Sequence, residues 1–263
     1  MSYERVSLQF DGKVAVLKFN HQEVLNAIGA QMLGELKEAV AEIANPANGA
    51  RCLLLTGEGR AFCSGANLAD GAGSGKPRKS SSDTLRGGYH PMLLALRDLE
   101  MPMVSAVNGA AAGVGMSLAI MADIVCASKN AYFLQAFARI GLIPDGGATF
   151  LLPRLIGWGR AMELSMLAEK LPAETAREWG LVNRLFEDPA QLMTGAMAIA
   201  RQLADGPRSL GMIRKAYWES TRNSYEQQLD LEAVIQGQAG RTEDFKEGVT
   251  AFLEKRPAAF KGK

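Results

Sequence analysis

Residues 104–119 have the sequence VSAVNGAAAGVGMSLA, and no other stretch of the chain is as informative. The pattern predicts a short apolar strand, a turn of very small residues and the start of an apolar helix. Small side chains let a ligand approach the backbone closely. The first amides of a helix have no partner within the helix and lie at its positive end. The stretch therefore predicts a site that favours negative charge, either a bound anion or an oxyanion that forms during a reaction.

Two further stretches add possible chemistry. Residues 59–68, GRAFCSGANL, contain a tight turn at Ser64-Gly65 that could direct a second backbone amide outward. Residues 141–147, GLIPDGG, place Asp145 on a glycine-rich turn, which is a frequent position for a functional side chain. The alternative for Asp145 is a helix N-cap for residues 147–155, and the residues alone leave both interpretations open. Backbone donors together with one carboxylate suit the movement of protons next to a carbonyl group.

Composition excludes several classes of protein. The 263-residue chain is 48% hydrophobic and carries a net charge of +1, which argues against binding to nucleic acid by bulk electrostatics. Three cysteines without a CxxC pair argue against a disulfide framework or a zinc ribbon, and two histidines exclude a histidine-rich metal site. The first residues do not form a signal peptide and no long apolar run predicts a membrane span, so we expect a cytoplasmic protein.

Alternating strands and helices predict an α/β fold. Residues 6–10 and 14–19 are typical of strands joined at Asp11-Gly12, a helix is expected over 27–43, and a buried strand over 51–56. Residues 70–90 resemble a mobile surface loop that either covers a ligand or is a solvated linker. From residue 188 the pattern is helical, with the last helices expected over 207–221, 224–238 and 242–255.

Common nucleotide and hydrolase motifs do not explain the glycine-rich turn. A GxxxxGK[ST] phosphate loop is absent, and Gly113-Val114-Gly115 is not followed by the third glycine of the dinucleotide fingerprint. Ser117 is expected inside the helix, not on the strand-to-helix turn of a nucleophile elbow. Both histidines precede Ser117, whereas that hydrolase order places the histidine last. A serine hydrolase is therefore a poor interpretation.

Taken together, the motifs resemble the crotonase (enoyl-CoA hydratase/isomerase) superfamily over nearly the whole chain. The matching segments are 26–27, 51–57, 60–68, 107–115, 122–124 and 141–147, and residues 228–256 are similar to its ring-epoxide isomerase branch. The resemblance implies a spiral of ββα repeats over residues 1–195, which carries the acyl-CoA site. It also implies a C-terminal helical region over 196–263 that forms trimers, often paired into hexamers.

The resemblance also implies roles for individual residues. The amides of Ser64 and Val114 would form an oxyanion hole for the thioester carbonyl, with Asp145 as the acid/base. The substrate-binding positions would be Ala27, Ala66, Leu68, Gly113, Met116, Phe137, Leu142 and Phe260, the last as a cap on CoA. No metal is implied, and no cofactor beyond the CoA of the substrate.

One departure from the hydratase pattern separates two activities. Hydratases of this family carry two glutamates, and Ser117 and Phe137 stand at those positions here. Isomerases carry an aspartate where Asp145 stands, and one carboxylate is enough to remove a proton and return it elsewhere. We therefore expect an isomerase acting on enoyl-CoA or on an epoxidised aromatic acyl-CoA. A hydratase using Asp145 alone and a non-catalytic acyl-CoA-binding homologue are the alternatives.

Overall fold

A computed structural model describes residues 3–70 and 80–263, which form two sheets surrounded by helices. The strands are β1 (Val6–Asp11), β2 (Val14–Phe19), β3 (Cys52–Gly57), β4 (Ala61–Cys63), β5 (Met103–Val107), β6 (Ala110–Ala112), β7 (Ile124–Ser128), β8 (Tyr132–Leu134), β9 (Leu171–Pro172) and β10 (Arg184–Phe186). The α-helices are α1 (Ala30–Ala44), α2 (Ser81–Thr84), α3 (His90–Arg97), α4 (Val114–Ile120), α5 (Ala148–Ile156), α6 (Trp158–Leu167), α7 (Ala173–Glu178), α8 (Pro189–Ala204), α9 (Ser209–Ser220), α10 (Tyr225–Ala239) and α11 (Glu243–Glu254).

The strands alternate between the two sheets along the chain. One sheet has the order β1-β2-β3-β5-β7-β10 and the other has the order β4-β6-β8-β9. The pairs β3/β4, β5/β6 and β7/β8 each contribute one strand to each sheet and are followed by helical structure, which is the predicted ββα repeat. Because β4, β6 and β8 are parallel neighbours, the segments that follow them meet at one edge of the smaller sheet.

The buried positions of the early elements agree with the sequence pattern. In β3 every residue is buried, as expected for a strand covered on both faces. On α1 the buried apolar positions recur at helical spacing and include Met32, Leu36 and Val40. The hairpin at Asp11-Gly12 is also confirmed, with Asp11 paired to Val14 and Gly12 at a φ of 59°.

The first helix begins later than predicted, at Ala30 and not at residue 27. Just before the predicted start, Leu25 and Asn26 adopt left-handed conformations with φ of 54° and 59°. The Asn26 side chain is buried and binds backbone groups on both sides, including the carbonyl of Ala61 at 2.8 Å. Ile28 then pairs with Ala66 as an isolated parallel bridge, so this segment belongs to the site and not to α1.

The predicted surface loop over residues 70–90 is wrong for its second half. Residues 81–90 are helical, with α2 passing through a π-helical turn, Leu85–Tyr89, into α3. The Ser80 side chain accepts from the Asp83 N–H at 3.0 Å and caps α2, and buried Tyr89 anchors the π turn. Serine and glycine content suggested a loop, but a cap and a buried aromatic stabilise a helix here. Residues 71–79, the first part of the predicted loop, lie outside the described residues.

The C-terminal third is helical, as predicted. Helix α8 covers the larger sheet, and the predicted division at residue 195 falls within this helix. Helix α9 is joined to the core by buried Arg214, whose Nε lies 2.9 Å from a carboxylate oxygen of Asp123. Of the helices in residues 3–70 and 80–263, none has the length and apolar character needed to cross a membrane.

Candidate active site

Two glycine turns come together at the edge of the smaller sheet. The turns follow β4 and β6, which are parallel neighbours. A Cβ placed on Gly65 would lie 3.0 Å from the carbonyl oxygen of Ala112 and 3.7 Å from Cα of Gly113. Gly65 and Gly113 have φ of 106° and 53°, a region in which a side chain would be strained. Glycine at both positions thus allows two backbones to approach each other closely.

The Val114 amide is a free donor, as the sequence predicts. Val114 is the first residue of α4, and a first-turn N–H has no partner within its own helix. The preceding N–H of Gly113 is used by the carbonyl of Leu134 at 2.9 Å. Across residues 3–70 and 80–263, no acceptor binds the Val114 N–H. It therefore points an unused donor, at the positive end of a helix, towards the glycine turns.

The prediction that the Ser64 amide is the second outward-facing donor is wrong. The Ser64 N–H donates to the carbonyl of Leu25 at 3.0 Å, and the Ser64 hydroxyl donates to the carbonyl of Val24 at 3.1 Å. The left-handed backbone at Leu25 and Asn26 accompanies this arrangement. Nothing in the sequence around Ser64 indicates that its partner lies some forty residues earlier in the chain.

Ala66, two residues later, has an N–H that meets no acceptor in the described ranges 3–70 and 80–263. In the parallel bridge between Ile28 and Ala66, the Ile28 N–H donates to Gly65 at 2.7 Å and the Asn67 N–H donates to Ile28 at 3.0 Å. The N–H and carbonyl of Ala66 therefore face away from Ile28, because the groups of a strand alternate in direction. The turn at Gly113 is in contact with Gly65, the residue just before Ala66. Ala66 was expected only as part of the CoA-binding backbone.

Asp145 is held against the first turn of α4. The Ser117 hydroxyl donates to the backbone carbonyl of Asp145 at 2.8 Å. The adjoining Gly146 is so close that an added Cβ would lie 2.8 Å from Cβ of Ser117 and 3.1 Å from Cγ2 of Val114. The structure thus brings the predicted acid/base next to the helix whose first amide is the predicted donor.

The Asp145 side chain is not a helix cap. Helix α5 is preceded by Gly147 at the N-cap position, and no side chain caps it. Oδ1 of Asp145 is buried without a hydrogen-bond partner among residues 3–70 and 80–263. Burial raises the pKa of this carboxyl to about 6, and the charge of nearby His90 opposes the rise. A buried oxygen without a partner and a raised pKa are typical of an acid/base group.

Ser117 is confirmed as a residue of the helix interior. It is fully buried, and its hydroxyl serves the Asp145 carbonyl and, at 3.4 Å, the carbonyl of Gly113. The hydroxyl therefore positions a loop, and this geometry is not that of a nucleophile with a neighbouring base.

A largely apolar cavity of about 330 Å³ adjoins Asp145. Its walls come from α3, from the Asp145 turn with α5, and from α9, and they include His90, Leu93, Gly146, Phe150, Leu151 and Trp218. The rings of Phe150 and Trp218 are nearly parallel, with centroids 6.4 Å apart. An apolar cavity beside a carboxylate can take an apolar group whose reacting carbon lies near that carboxylate.

Sequence reasoning missed the residues that form this cavity. His90 and Phe150 are far apart in sequence from Trp218, and no local pattern connects them. His90 carried a weak signal, because the chain has only two histidines. The approach of α9 to α3 depends on the buried pair of Arg214 and Asp123, which sequence spacing does not indicate.

Of the other predicted binding residues, two are buried at the site and two are exposed. Phe137 is buried at the site, and its Cζ would lie 3.8 Å from a Cβ on Gly113. Ala27 is buried beside the Ala66 bridge, and Leu68 follows that bridge with 57% of its surface exposed. Leu142 is 44% exposed on the loop that leads to Asp145, where it can contact only a ligand that reaches the surface.

Met116 and Phe260 lie away from the cavity of their own chain. Met116 is fully buried in the main core, because α4 directs that position inward. Phe260 packs on α11, within 3.5 Å of a Cβ on Gly248, and Gly262 lies against Arg51 just before β3. The cap on CoA predicted for Phe260 stays a prediction.

Comparison with known proteins places this arrangement in a family. The family model described as enoyl-CoA hydratase/isomerase matches residues 9–263. The chain belongs to the enoyl-CoA hydratase/isomerase (crotonase) family. A relative from Rhodobacter capsulatus named "Probable enoyl-CoA hydratase" is 43% identical, with both chains fully covered. The 1,2-epoxyphenylacetyl-CoA isomerase of Escherichia coli K12 is 42% identical, with 95% of each chain covered.

Solved structures of the crotonase family have the same fold. A crystal structure of an enoyl-CoA hydratase from Polaromonas sp. JS666 superimposes with a TM-score of 0.89 at 30% identity, covering 97% of this chain and 99% of that one. The family resemblance expected from the motifs is therefore confirmed. Both hydratase and isomerase names occur among the relatives of this crotonase-family protein, so the site itself must distinguish the two activities.

Proposed function

We propose that this crotonase-family enzyme is an acyl-CoA isomerase with a single acid/base, Asp145. The reaction is either a shift of an enoyl-CoA double bond from position 3 to position 2 or a rearrangement of a ring epoxide, in fatty acid or phenylacetate breakdown. The observation that supports it is the buried Asp145 oxygen without a partner, beside an α-helix whose first amide is free. A single carboxylate can carry out a proton shift in both directions.

The proposed oxyanion hole consists of the amides of Val114 and Ala66. Within residues 3–70 and 80–263 neither amide has an acceptor, and the two glycine turns next to them are in contact. As the substrate loses a proton, its thioester oxygen becomes negative. Each well-placed donor stabilises this oxyanion by on the order of 3 kcal/mol. The Ser64 amide, used by Leu25, supports the turn rather than the ligand.

The proton shift needs no second acid/base. The Asp145 carboxylate takes a proton from C2 or C4 of the acyl chain, and the electron pair moves into an enolate on the thioester oxygen. The protonated carboxyl then returns the proton to the other end of the conjugated system. Buried Phe137 at the glycine turn excludes water that would quench the enolate. We propose no cofactor apart from the CoA of the substrate.

Hydration is the competing activity. Adding water to a double bond needs one group to activate the water and another to deliver a proton. Ser117 and Phe137 occupy the two positions that the family's hydratases fill with glutamate, and the Ser117 hydroxyl already serves the Asp145 carbonyl. The Rhodobacter capsulatus relative is named a probable enoyl-CoA hydratase, so hydratase activity should be measured as well.

One assay separates isomerase, hydratase and binding protein. The purified enzyme should convert 3-enoyl-CoA to 2-enoyl-CoA, and Asp145→Asn should lower the rate by at least about 10²-fold. Asp205→Asn, which changes an exposed carboxylate paired with Lys13, is the matched control and should leave the rate unchanged. Undiminished turnover by Asp145→Asn would overturn the proposal.

The same samples test the alternatives. Formation of 3-hydroxyacyl-CoA from crotonyl-CoA, without isomer, would identify a hydratase. Calorimetric binding of acyl-CoA without any product would identify a non-catalytic homologue.

We also propose that the C-terminal helices form subunit contacts, in a homotrimer or a dimer of trimers. Phe252 and Leu253 on α11 are 82% and 73% exposed in the single chain, an apolar surface that association would cover. Light scattering after size-exclusion chromatography tests this, and a monomer at micromolar concentration would exclude it.

A further inference from the structure

A second apolar cavity lies next to the one that adjoins the Asp145 turn. The first has a volume of about 330 Å³ and the second a volume of about 520 Å³. The second cavity is formed mainly between α5 and α9. The residues that line both cavities are Met121, Phe150, Leu151, Trp218 and Thr221. Because they belong to both walls, these five residues form the partition between the cavities.

The largest side chains of this partition are the rings of Phe150 and Trp218. The rings are nearly parallel, at 6° to each other, with their centroids 6.4 Å apart. The Arg154 guanidinium lies 3.8 Å from the centre of the Phe150 ring, a favourable contact between a cation and an aromatic face. Trp218 follows Arg214 by one helical turn, and Arg214 donates to the carbonyl of Leu96 at 3.2 Å. Each ring is therefore supported by contacts on its own helix and its neighbours.

The first cavity is linked to the proposed oxyanion hole through Gly146. This residue lines the cavity, and a Cβ on it would lie 3.1 Å from Cγ2 of Val114, whose amide is the proposed donor. Gly147 also lines the cavity, and a Cβ on it would meet no atom within 4 Å. The passage from the Val114 turn to the cavity thus runs along two residues without side chains.

We propose that the ring pair of Phe150 and Trp218 determines specificity, by limiting the length of the acyl group that the enzyme accepts. This inference rests on the proposed function, in which the reacting carbons of the acyl group lie next to Asp145. An apolar cavity of about 150 Å³ is large enough for a benzene ring. By that measure the first cavity holds one ring with its side chain, or a chain on the order of ten carbon atoms. A longer chain has to enter the second cavity, and the two rings block its way.

Trp218→Ala tests the proposal because it joins the two cavities. The measured quantity is the ratio of kcat/KM for 3-hexadecenoyl-CoA to kcat/KM for 3-hexenoyl-CoA. We expect this ratio to rise by about tenfold or more, because the extra methylene groups find apolar space that the wild-type enzyme denies them. Phe150→Leu removes the other ring from a different helix, so it should change the ratio in the same direction.

Two control variants keep the wall intact. Trp218→Phe retains an aromatic ring at the partition and should keep a ratio close to that of the wild type. Trp158→Ala removes a tryptophan that is 72% exposed at the start of α6, outside both cavities, and should leave the ratio unchanged.

Binding gives a second measurement that does not depend on turnover. Calorimetry with the saturated esters hexanoyl-CoA and hexadecanoyl-CoA, each below its micelle-forming concentration, should show tighter binding of the long ester to Trp218→Ala and to Phe150→Leu. The gain should be about tenfold in Kd, with the Kd of hexanoyl-CoA changed by less than about threefold.

The outcomes separate this inference from the proposed function. If the wild-type enzyme already turns over both chain lengths equally, or if neither variant shifts the preference in kinetics and binding, the inference about the ring pair is wrong. If the variants gain binding of hexadecanoyl-CoA as expected but no form of the enzyme isomerises a 3-enoyl-CoA, the proposed function is wrong and the length limit stands.

Discussion

The hydroxyl of Ser117 donates a 2.8 Å hydrogen bond to the backbone carbonyl of Asp145. This contact joins the helix that presents the free Val114 amide to the loop that carries the carboxylate. The donor and the proposed base are therefore held by one rigid connection, and their separation is set by α4. Catalytic groups lose much of their effect when displaced by about 1 Å, so the connection is expected to matter for rate.

Ser117→Ala should lower kcat more than it changes KM. The substitution removes one of the two donors to the Asp145 carbonyl and leaves only the Ala148 N–H at 3.1 Å, so it should cost about 1 kcal/mol of stability and loosen the base. We expect a fall in kcat of about tenfold, measured by steady-state kinetics. Ser105→Ala is the matched control, because Ser105 also donates from a buried position to a carbonyl, that of Ala119 within α4, at 2.9 Å. An equal loss of kcat in both variants would contradict the prediction.

Gly113→Ala should disable the oxyanion hole without a steric clash. A Cβ there would meet nothing nearer than 3.8 Å, but the backbone has φ of 53° and ψ of −130°, which alanine avoids. Relaxing that strain rotates the following Val114 amide, so kcat/KM should fall by about 10²-fold. Gly12→Ala, at φ of 59° in open space, should cost similar stability and leave kcat/KM unchanged. Equal kinetics for the two variants would show that the Val114 amide is dispensable.

Replacing single backbone amides by esters distinguishes Ala66 from Ser64. Lactic acid in place of Ala66 removes only its N–H, and we expect kcat/KM to fall by about 10²- to 10³-fold. The equivalent hydroxy acid at Ser64 removes the bond to Leu25 and should cost about 1 kcal/mol of stability with a smaller kinetic effect. The reverse order of effects on kcat/KM would restore Ser64 as the donor.

The rate of the wild-type enzyme should fall in acid because the base must be ionised. With the pKa of Asp145 at about 6, kcat/KM should level off above pH 7 and fall about tenfold per pH unit well below pH 6. The measurement is a pH profile between pH 4.5 and 8.5 with a 3-enoyl-CoA substrate. A flat profile across pH 5 to 6 would exclude Asp145 as the base.

Asp145 should also lower stability at neutral pH. Its folded pKa of about 6 lies above the ordinary value near 3.9, so the folded state holds the proton more tightly than the unfolded state. Stability from this group is complete below about pH 4 and is lost as the pH rises through 6. Asp145→Asn should therefore raise Tm at pH 7.5 and leave it nearly unchanged at pH 4, as measured by calorimetry. A lower Tm at pH 7.5 would contradict this sign.

Local sequence was sufficient to predict those elements whose physical cause lies in residues close together in the chain. The hairpin at Asp11-Gly12, the buried strand β3 and the C-terminal helices follow from turn chemistry and from the spacing of apolar residues. The Val114 amide at the start of α4 belongs to the same class, whereas the role of Asp145 follows only from the family resemblance. A glycine turn that enters a helix leaves its first amides unpaired whatever packs around it.

Contacts between distant segments settled the rest. The partner of the Ser64 amide is Leu25 and the bridge of Ala66 is to Ile28, so the choice between Ser64 and Ala66 as donor depends on a pairing that no local pattern encodes. The cavity is formed by three helices that meet only after folding. The raised pKa of Asp145 arises from burial, which is likewise a product of the folded chain. Periodicity reports which side of an element is apolar, whereas hydrogen-bond partners and desolvation depend on which elements become neighbours.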